Sequence, residues 1–220
     1  MSARSLLEIV KALASLALLV ALGSAALAQT SYIVSGALTT SDPTFRRPSN
    51  LTTQVTTTGS GATAAYDVYA FTVSASGTYV GEMASSDTLD TYLFVYSGSF
   101  DPANPLTNLL NGDDDSSPTE AFTVITSSAT LTSRRTRIAA TGASSNFVPN
   151  VGLVLNAGTT YYAVASSFFN STSANGVGTY SLGIGGGPGN VTAATPVPEP
   201  ATMVALGLGA VALIRRRRQG

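Results

Sequence analysis

The sequence predicts an all-β fold, an antiparallel β-sandwich of the jelly-roll kind, between two apolar terminal segments. Three observations predict it: hydrophobic residues alternate with a period of two, short runs of β-forming residues recur between turns rich in Gly, Ser and Asn, and no sustained helical stripe lies between the terminal segments. The chain has 220 residues, and the part between the terminal segments has the length of one ordinary domain.

The N-terminal segment has the three parts of a secretory signal peptide. A basic region precedes an apolar run at 12–22, and Ala26 and Ala28 are the small residues of a cleavage site before Gln29. The run could instead be a first transmembrane helix, but it is short and ends in this cleavage pattern. We therefore expect residues 1–28 to be a signal peptide that is removed on export.

The body is predicted to consist of short strands. Residues 29–64 hold an N-terminal strand and a polar segment. Tyr69, Phe71 and Val73 fall on one face of a strand that turns at 74–77 into the next, and this pattern predicts a hairpin. The predicted hairpins are 66–73 with 78–83 and 151–155 with 159–165, and the other predicted strands are 91–96, 121–125, 137–140 and 178–184.

Seven short motifs follow one another between residues 65 and 185. They lie at 69–73, 76–79, 89–93, 100–102, 111–114, 155–162 and 178–182. In this order they resemble the bacterial pre-peptidase C-terminal (PPC) domain. The resemblance implies a β-sandwich of the kind that accompanies secreted proteases and surface proteins, so an accessory module that binds a ligand or substrate for such a protease is an alternative function. Related collagen-binding modules bind Ca²⁺. The sequence departs from the family pattern at Val68 and in the stretch 134–147, which looks inserted.

The C-terminal segment combines three physically different pieces after a linker. Residues 186–196 are rich in Gly and Pro and are expected to form a flexible linker. Pro198, Glu199 and Pro200 form a stiff, extended triplet that cannot join a helix. An uncharged apolar run follows at 201–214. Four basic side chains complete the segment: Arg215, Arg216, Arg217 and Arg218.

These pieces, within 197–220, resemble the PEP-CTERM sorting domain of Gram-negative bacterial surface proteins. The apolar run would form a short transmembrane helix of about 21 Å at ~1.5 Å per residue, with the arginines on the cytoplasmic side. The resemblance implies that an exosortase, an integral-membrane thiol enzyme, recognises the Pro-Glu-Pro triplet. It also implies that the Arg cluster retains the protein in the inner membrane until cleavage. An ordinary tail anchor is the alternative.

Composition excludes most catalytic chemistries. The chain contains no Cys and no His, and its single Lys lies in the predicted signal peptide. Thiolate, imidazole and Schiff-base catalysis therefore lack their residues, as do the usual zinc sites. Between the terminal segments ten acidic residues stand against five arginines, and this negative balance argues against nucleic-acid binding.

Five aspartates are candidate metal ligands. Three consecutive carboxylates follow an Asn-Gly pair, and two more border a predicted strand, so they could converge if those strands are neighbours. The candidate calcium ligands are Asp87, Asp90, Asp113, Asp114 and Asp115. A solvated acidic turn is the alternative interpretation. Two of the same carboxyl groups could instead serve a small secreted hydrolase.

These observations together predict an exported, non-catalytic protein that requires no cofactor, although it could bind Ca²⁺. It would cross the inner membrane, be anchored there transiently and then reach the cell surface or the extracellular space. The resemblance to the sorting domain implies two kinds of partner: the exosortase, and an exopolysaccharide or another component of a biofilm matrix, because in that family exopolysaccharide genes commonly accompany the signal. Its role would be structural or adhesive.

Overall fold

The structure, a computed structural model, describes residues 29–51, 63–116, 124–125, 132–139, 143–144, 147 and 152–195. The predicted signal peptide, the sorting triplet, the apolar run and the four terminal arginines lie outside these residues. Within the described ranges, no helix is long and apolar enough to cross a membrane.

The regular secondary structure of the described residues consists of thirteen strands and two short 3₁₀ turns. The strands are β1 (Tyr32–Leu38), β2 (Thr44–Phe45), β3 (Ala64–Val73), β4 (Gly77–Ala84), β5 (Thr91–Ser97), β6 (Leu109–Asp113), β7 (Asp115–Ser116), β8 (Arg135–Ile138), β9 (Ala143–Ser144), β10 (Leu153–Leu155), β11 (Thr160–Ser167), β12 (Gly178–Gly185) and β13 (Val191–Ala193). The 3₁₀ turns are Thr132–Arg134 and Ala174–Gly176. Every strand pair is antiparallel. The all-β class and the antiparallel pairing predicted from the sequence are confirmed.

Two large sheets form two layers. The first sheet has the order β1-β12-β4-β10, with β8 also paired to β4. The second sheet has the order β13-β3-β11-β5-β6, with β2 also paired to β3. The chain passes repeatedly from one sheet to the other, as it does in a jelly roll. A small third pair joins β7 to β9.

A buried apolar core lies between the two large sheets, because each strand directs alternate side chains inward. Phe71 and Tyr161 contribute from the second sheet, and Tyr79, Met83 and Leu182 contribute from the first. Burying one side chain of this size stabilises the fold by about 1.5–3 kcal/mol. The shared core therefore holds the two sheets face to face.

A second aromatic cluster covers the outer face of the second sheet. Phe94 on β5 packs against Tyr92, with ring centroids 4.5 Å apart, and against Phe45, at 5.9 Å. Tyr162 belongs to this cluster, whereas its neighbour Tyr161 points into the core between the sheets. Both adjacent tyrosines are consequently buried, and neither forms an exposed ring for ligand stacking.

Both hairpins predicted from the sequence are wrong. β3 and β4 lie in different sheets, and so do β10 and β11. The short turns between these strands carry the chain from one layer to the other, whereas β3 pairs with β11 and β10 pairs with β4. A period of two shows which side chains face inward, but a short turn fits both a hairpin and a change of sheet. Within the predicted strand 121–125, Val124 and Ile125 are described and lie outside any strand.

The sandwich extends beyond 65–185 at both ends. β1 is an integral strand of the first sheet. The expected flexible linker 186–196 contains β13, in which Val191 pairs with Val73 of β3 and is buried. The sequence did not reveal β13 because three residues beside a Gly- and Pro-rich turn are too few to show a period. The linker prediction is therefore wrong for this strand.

Candidate functional site

One end of the sandwich, which we call the acidic end, gathers three of the five candidate ligands. β4 and β6 end here, and β5 begins here. Because Leu93 of β5 lies opposite Asp113 of β6, the residue before β5 and the residues after β6 are neighbours. Asp90, Asp114 and Asp115 meet at this point, and one carboxylate oxygen from each lies within 4.8 Å of the others. We call these three residues the aspartate cluster.

The geometry of the aspartate cluster fits one calcium ion. Ca²⁺ binds oxygen ligands at about 2.3–2.6 Å, so two oxygens on opposite sides of one ion are separated by about 5 Å. The Oδ1 atoms of Asp114 and Asp115 are buried and accept no hydrogen bond within the described residues. Buried carboxylate oxygens without donors favour a bound cation or a proton. The cluster is therefore a candidate cation site.

Burial shifts all three carboxyl groups toward the protonated form. Burial raises the pKa of Asp90 to about 7, and the neighbouring Asp115 carboxylate contributes to the rise. Burial also raises the pKa of Asp114 to about 7, with further contributions from Asp115 and Asp90. The pKa of Asp115 is raised by burial as well. Near neutral pH the cluster therefore carries protons that a divalent cation would displace.

A buried arginine supplies the positive charge beside the cluster. Arg47 is 2% exposed, and its guanidinium carbon lies 4.6 Å from the ring centroid of Tyr92 and 4.5 Å from that of Phe168. Its Nε donates to the backbone oxygen of Phe168 at 3.2 Å. Burial lowers the pKa of Arg47, whereas Tyr92, Asp114 and Asp90 raise it. Arg47 was not predicted as a site residue, although the pair Arg46-Arg47, in a body with few basic residues, was the available signal.

The other two candidate ligands have different partners. The Oδ2 atom of Asp113 accepts from the backbone N–H of Arg137 at 2.9 Å, which fixes β6 against β8. Asp87 is exposed, and its Oδ2 atom accepts from the hydroxyl of Thr179 and from the backbone N–H of the same residue at 2.8 Å. These hydrogen bonds hold the pKa of Asp87 below its ordinary value. Neither residue belongs to the aspartate cluster.

An open groove of about 780 Å³ also lies at the acidic end. The loop between β4 and β5 serves both features, because Asp87 lines the groove and Asp90 belongs to the cluster. Arg134 also lines the groove. The hydroxyl-bearing residues of the groove are Thr39, Thr40, Ser86 and Thr88.

A second buried carboxylate organises the outer face of the first sheet. Glu82 on β4 is fully buried, and its Oε2 atom accepts from the backbone N–H groups of Val124 and Ile125 at 2.9 and 3.0 Å. Its Oε1 atom lies 3.4 Å from Nε of Arg137. Gly183 lies beneath the two apolar side chains, where a Cβ atom would be 2.5 Å from Ile125. Glu82 thus fastens this segment onto the sheet.

These features define a β-sandwich with a polar groove and a candidate cation site at one end. A comparison with protein-family models matches residues 196–218 to the PEP-CTERM protein-sorting motif. The sorting motif predicted from the sequence is therefore confirmed, and it implies an exosortase-sorted extracellular protein that is associated with the membrane during sorting. No curated protein matches the chain. The resemblance to the PPC domain stays a prediction.

Proposed function

We propose that this chain is a non-catalytic structural or adhesive component of an exopolysaccharide matrix, delivered there by exosortase sorting. The observation that carries the proposal is the sorting motif at 196–218, attached to a folded sandwich with a polar groove at one end. In the family that the sorting segment resembles, exopolysaccharide genes commonly accompany the signal, which favours a polysaccharide as the partner. The polar surface of the sandwich is accordingly the proposed site of contact.

The groove at the acidic end offers the chemistry that a sugar chain requires. Sugar hydroxyls both donate and accept hydrogen bonds, and the groove presents hydroxyl groups together with the Asp87 carboxylate and the Arg134 guanidinium. A guanidinium also pairs with the carboxylates of an acidic polysaccharide. We propose that the groove binds a polysaccharide strand.

We further propose that the aspartate cluster binds Ca²⁺ and stabilises the acidic end. The convergence of Asp90, Asp114 and Asp115 favours this second role. With one oxygen from each carboxylate, the cluster supplies three of the six to eight oxygens that Ca²⁺ takes, so water or a sugar oxygen would complete the coordination. A bound ion would thereby link the cluster to the matrix.

The enzymatic alternative receives less support from the geometry. Glycosidases use two carboxyl groups, about 5–5.5 Å or about 6.5–9.5 Å apart, whereas the cluster brings three carboxylates together, with one oxygen from each within 4.8 Å of the others. Such proximity suits a shared cation better than an acid and a nucleophile. An accessory module that acts with a secreted protease stays an alternative function. It would bind a ligand or substrate of that protease, whereas the proposed matrix component would bind a polysaccharide.

Polysaccharide binding by the processed protein tests the proposal. We would measure retention of the purified protein on immobilised hyaluronan, an acidic probe, and on dextran, a neutral probe, with Ca²⁺ or with a chelator. Asp87→Ala and Arg134→Ala are expected to reduce retention. Asp101→Ala, which removes a half-buried carboxylate from the loop after β5, at the opposite end of the sandwich, is the matched control. Absence of retention on both probes, or equal retention of all variants, would contradict the proposal.

A further inference from the structure

The sorting segment leaves the sandwich from one side, which we call the exit edge. It consists of β1, β13 and the part of β3 beside them. β13 is the outermost strand of the second sheet here, and the backbone N–H of Ala194 donates to the backbone oxygen of Ala70 at 2.8 Å. The chain is therefore bound to the sheet as far as Ala194.

The sorting triplet follows this anchor closely. Pro198 is four residues beyond Ala194, and an extended chain spans at most about 3.6 Å per residue, so the triplet begins within about 14 Å of the sheet and ends within about 22 Å of it. The apolar run begins at 201, within about 25 Å by the same measure. An enzyme that binds the triplet therefore lies close to the exit edge as long as β13 stays paired with β3.

The start of the described chain secures β13. The backbone N–H of Val191 donates to the backbone oxygen of Thr30 at 2.9 Å, and the backbone N–H of Thr30 donates to Oδ1 of Asn190 at 3.0 Å. Nε2 of Gln29 donates to the backbone oxygen of Pro188 at 3.0 Å. Release of β13 would break these bonds and expose the buried Val191 side chain. A sorting enzyme would therefore bind a substrate in which β13 is paired with β3.

The exit edge presents one large exposed apolar side chain on the outer face of each sheet, because the neighbouring residues Val34 and Tyr69 pack against the core between the sheets. Three large hydrophobic side chains are exposed among the described residues, and two of them lie at this edge: Ile33 on β1, 53% exposed, and Val68 on β3, 38% exposed. The third, Val154, is 60% exposed and lies on β10, at the opposite edge of the first sheet. The other exposed residues of β1 and β13 are Ser35, Ala37, Thr192 and Ala193.

We propose that the exit edge is the surface that contacts the exosortase, and that the enzyme cleaves the folded domain while β13 is paired. The proposal rests on the exosortase sorting described above. The short spacing brings the enzyme to this edge. Ile33 and Val68 are exposed there on the two opposite outer faces, so an enzyme that contacts the edge from either face meets an apolar side chain. Cleavage then requires no unfolding of the substrate.

A disulfide lock tests the paired state. Thr72 and Thr192 are directly opposite residues, and their hydroxyl oxygens are 3.2 Å apart. Directly opposite residues of antiparallel strands have the separation that a disulfide needs, and the chain has no cysteine of its own. The variant Thr72→Cys/Thr192→Cys would be expressed in a Gram-negative host that carries an exosortase. The oxidised variant is expected to be processed at the parental rate, with the Thr192→Cys variant as the control.

Accumulation of the oxidised variant in the inner membrane, with normal processing of the single variant, would overturn the proposal. The parent and a Glu199→Ala variant run beside it. If the parent itself is not processed, exosortase sorting fails; if the parent is processed and the locked variant is not, only this inference fails.

Charged substitutions test the surface itself. At least one of the variants Ile33→Glu and Val68→Glu is expected to lose processing, whereas Val154→Glu, the matched change at the opposite edge, should be processed at the parental rate. Melting curves of the purified domains verify that each variant folds. Equal processing of all three would overturn the proposal. Binding of the processed protein to exosortase-free vesicles of phosphatidylethanolamine and phosphatidylglycerol, abolished by Ile33→Glu, would also overturn it by making the bilayer the partner.

Discussion

Replacement of Glu82 by alanine is expected to lower the free energy of unfolding by about 3–5 kcal/mol, the usual cost of breaking a buried ion pair from one side. The Glu82 side chain is fully buried. The substitution removes the acceptor of the backbone N–H groups of Val124 and Ile125. It also removes the carboxylate beside Arg137. Each buried donor that loses its acceptor costs about 1–3 kcal/mol, which agrees with this range.

The loss is large compared with the stability of an ordinary domain, about 5–15 kcal/mol. For a domain of this size each kcal/mol shifts the melting temperature by about 2–4 °C. Glu82→Ala is therefore expected to melt roughly 6–20 °C below the parent. Glu82→Gln should lie between the two, because it keeps an acceptor oxygen but loses the charge.

Thermal and urea unfolding followed by far-ultraviolet circular dichroism measures the effect. Thr78→Ala, an exposed position on the same strand, is the matched control and should stay within about 0.5 kcal/mol of the parent. A Glu82→Ala variant that unfolds as the control does would refute the argument that this carboxylate fastens the segment onto the sheet.

Three further predictions concern the acidic end and the glycine beneath the fastened segment. In chelator, the melting temperature should fall as the pH rises from about 5 to about 8. The pKa values of Asp90 and Asp114 are about 7 in the folded protein, above the ordinary 3.8, so the folded protein binds protons more tightly than the unfolded chain does. The stability that these protons contribute is complete below the ordinary pKa and is lost as the pH rises through about 7. A flat profile would contradict this. Calcium should raise the melting temperature more at pH 8 than at pH 5, because protons compete with the ion for the same carboxylate oxygens. The variant Asp114→Asn should lose this shift, and the control Asp101→Asn should keep it. Equal shifts in both variants would argue against the site. Gly183→Ala should cost about 1–3 kcal/mol by overpacking, since its Cβ would lie 2.5 Å from Ile125, and a parental melting curve would disprove that contact.

The sequence predicted the class of the fold well, because the period of two is a local property of each strand. Tyr69, Phe71 and Val73 share a face as predicted, and all three pack in or against the core between the sheets. The neighbours of each strand were not predictable in the same way. A turn as short as 74–77 joins two layers here, and nothing in its residues distinguishes that geometry from a hairpin.

The candidate site was predictable in part. The run of aspartates after β6 was visible as a cluster of oxygen donors, but alternate residues of an extended chain point to opposite sides. Alternation would separate Asp114 from Asp115, yet both meet Asp90 where the pairing of β6 ends, whereas Asp113 bonds toward β8. Arg47 reaches the cluster from a segment distant in sequence, so only the tertiary structure reveals it.

The strand β13 was also not predictable from the sequence, because it depends on long-range pairing. Its three residues pair with β3 through long-range contacts, whereas the composition around it is that of a linker. The short spacing between Ala194 and Pro198, on which the proposed exosortase contact depends, follows from that pairing.

The intact mass and cellular location of the processed protein test the central claim most directly. The full chain and a Glu199→Ala variant would be expressed in a Gram-negative host that carries an exosortase. The account predicts that the parent loses the segment after the Pro-Glu-Pro triplet and leaves the inner membrane, whereas the variant stays there intact. If both proteins remain intact in the membrane, residues 201–218 are a plain anchor, and the account of a sorted extracellular protein is contradicted.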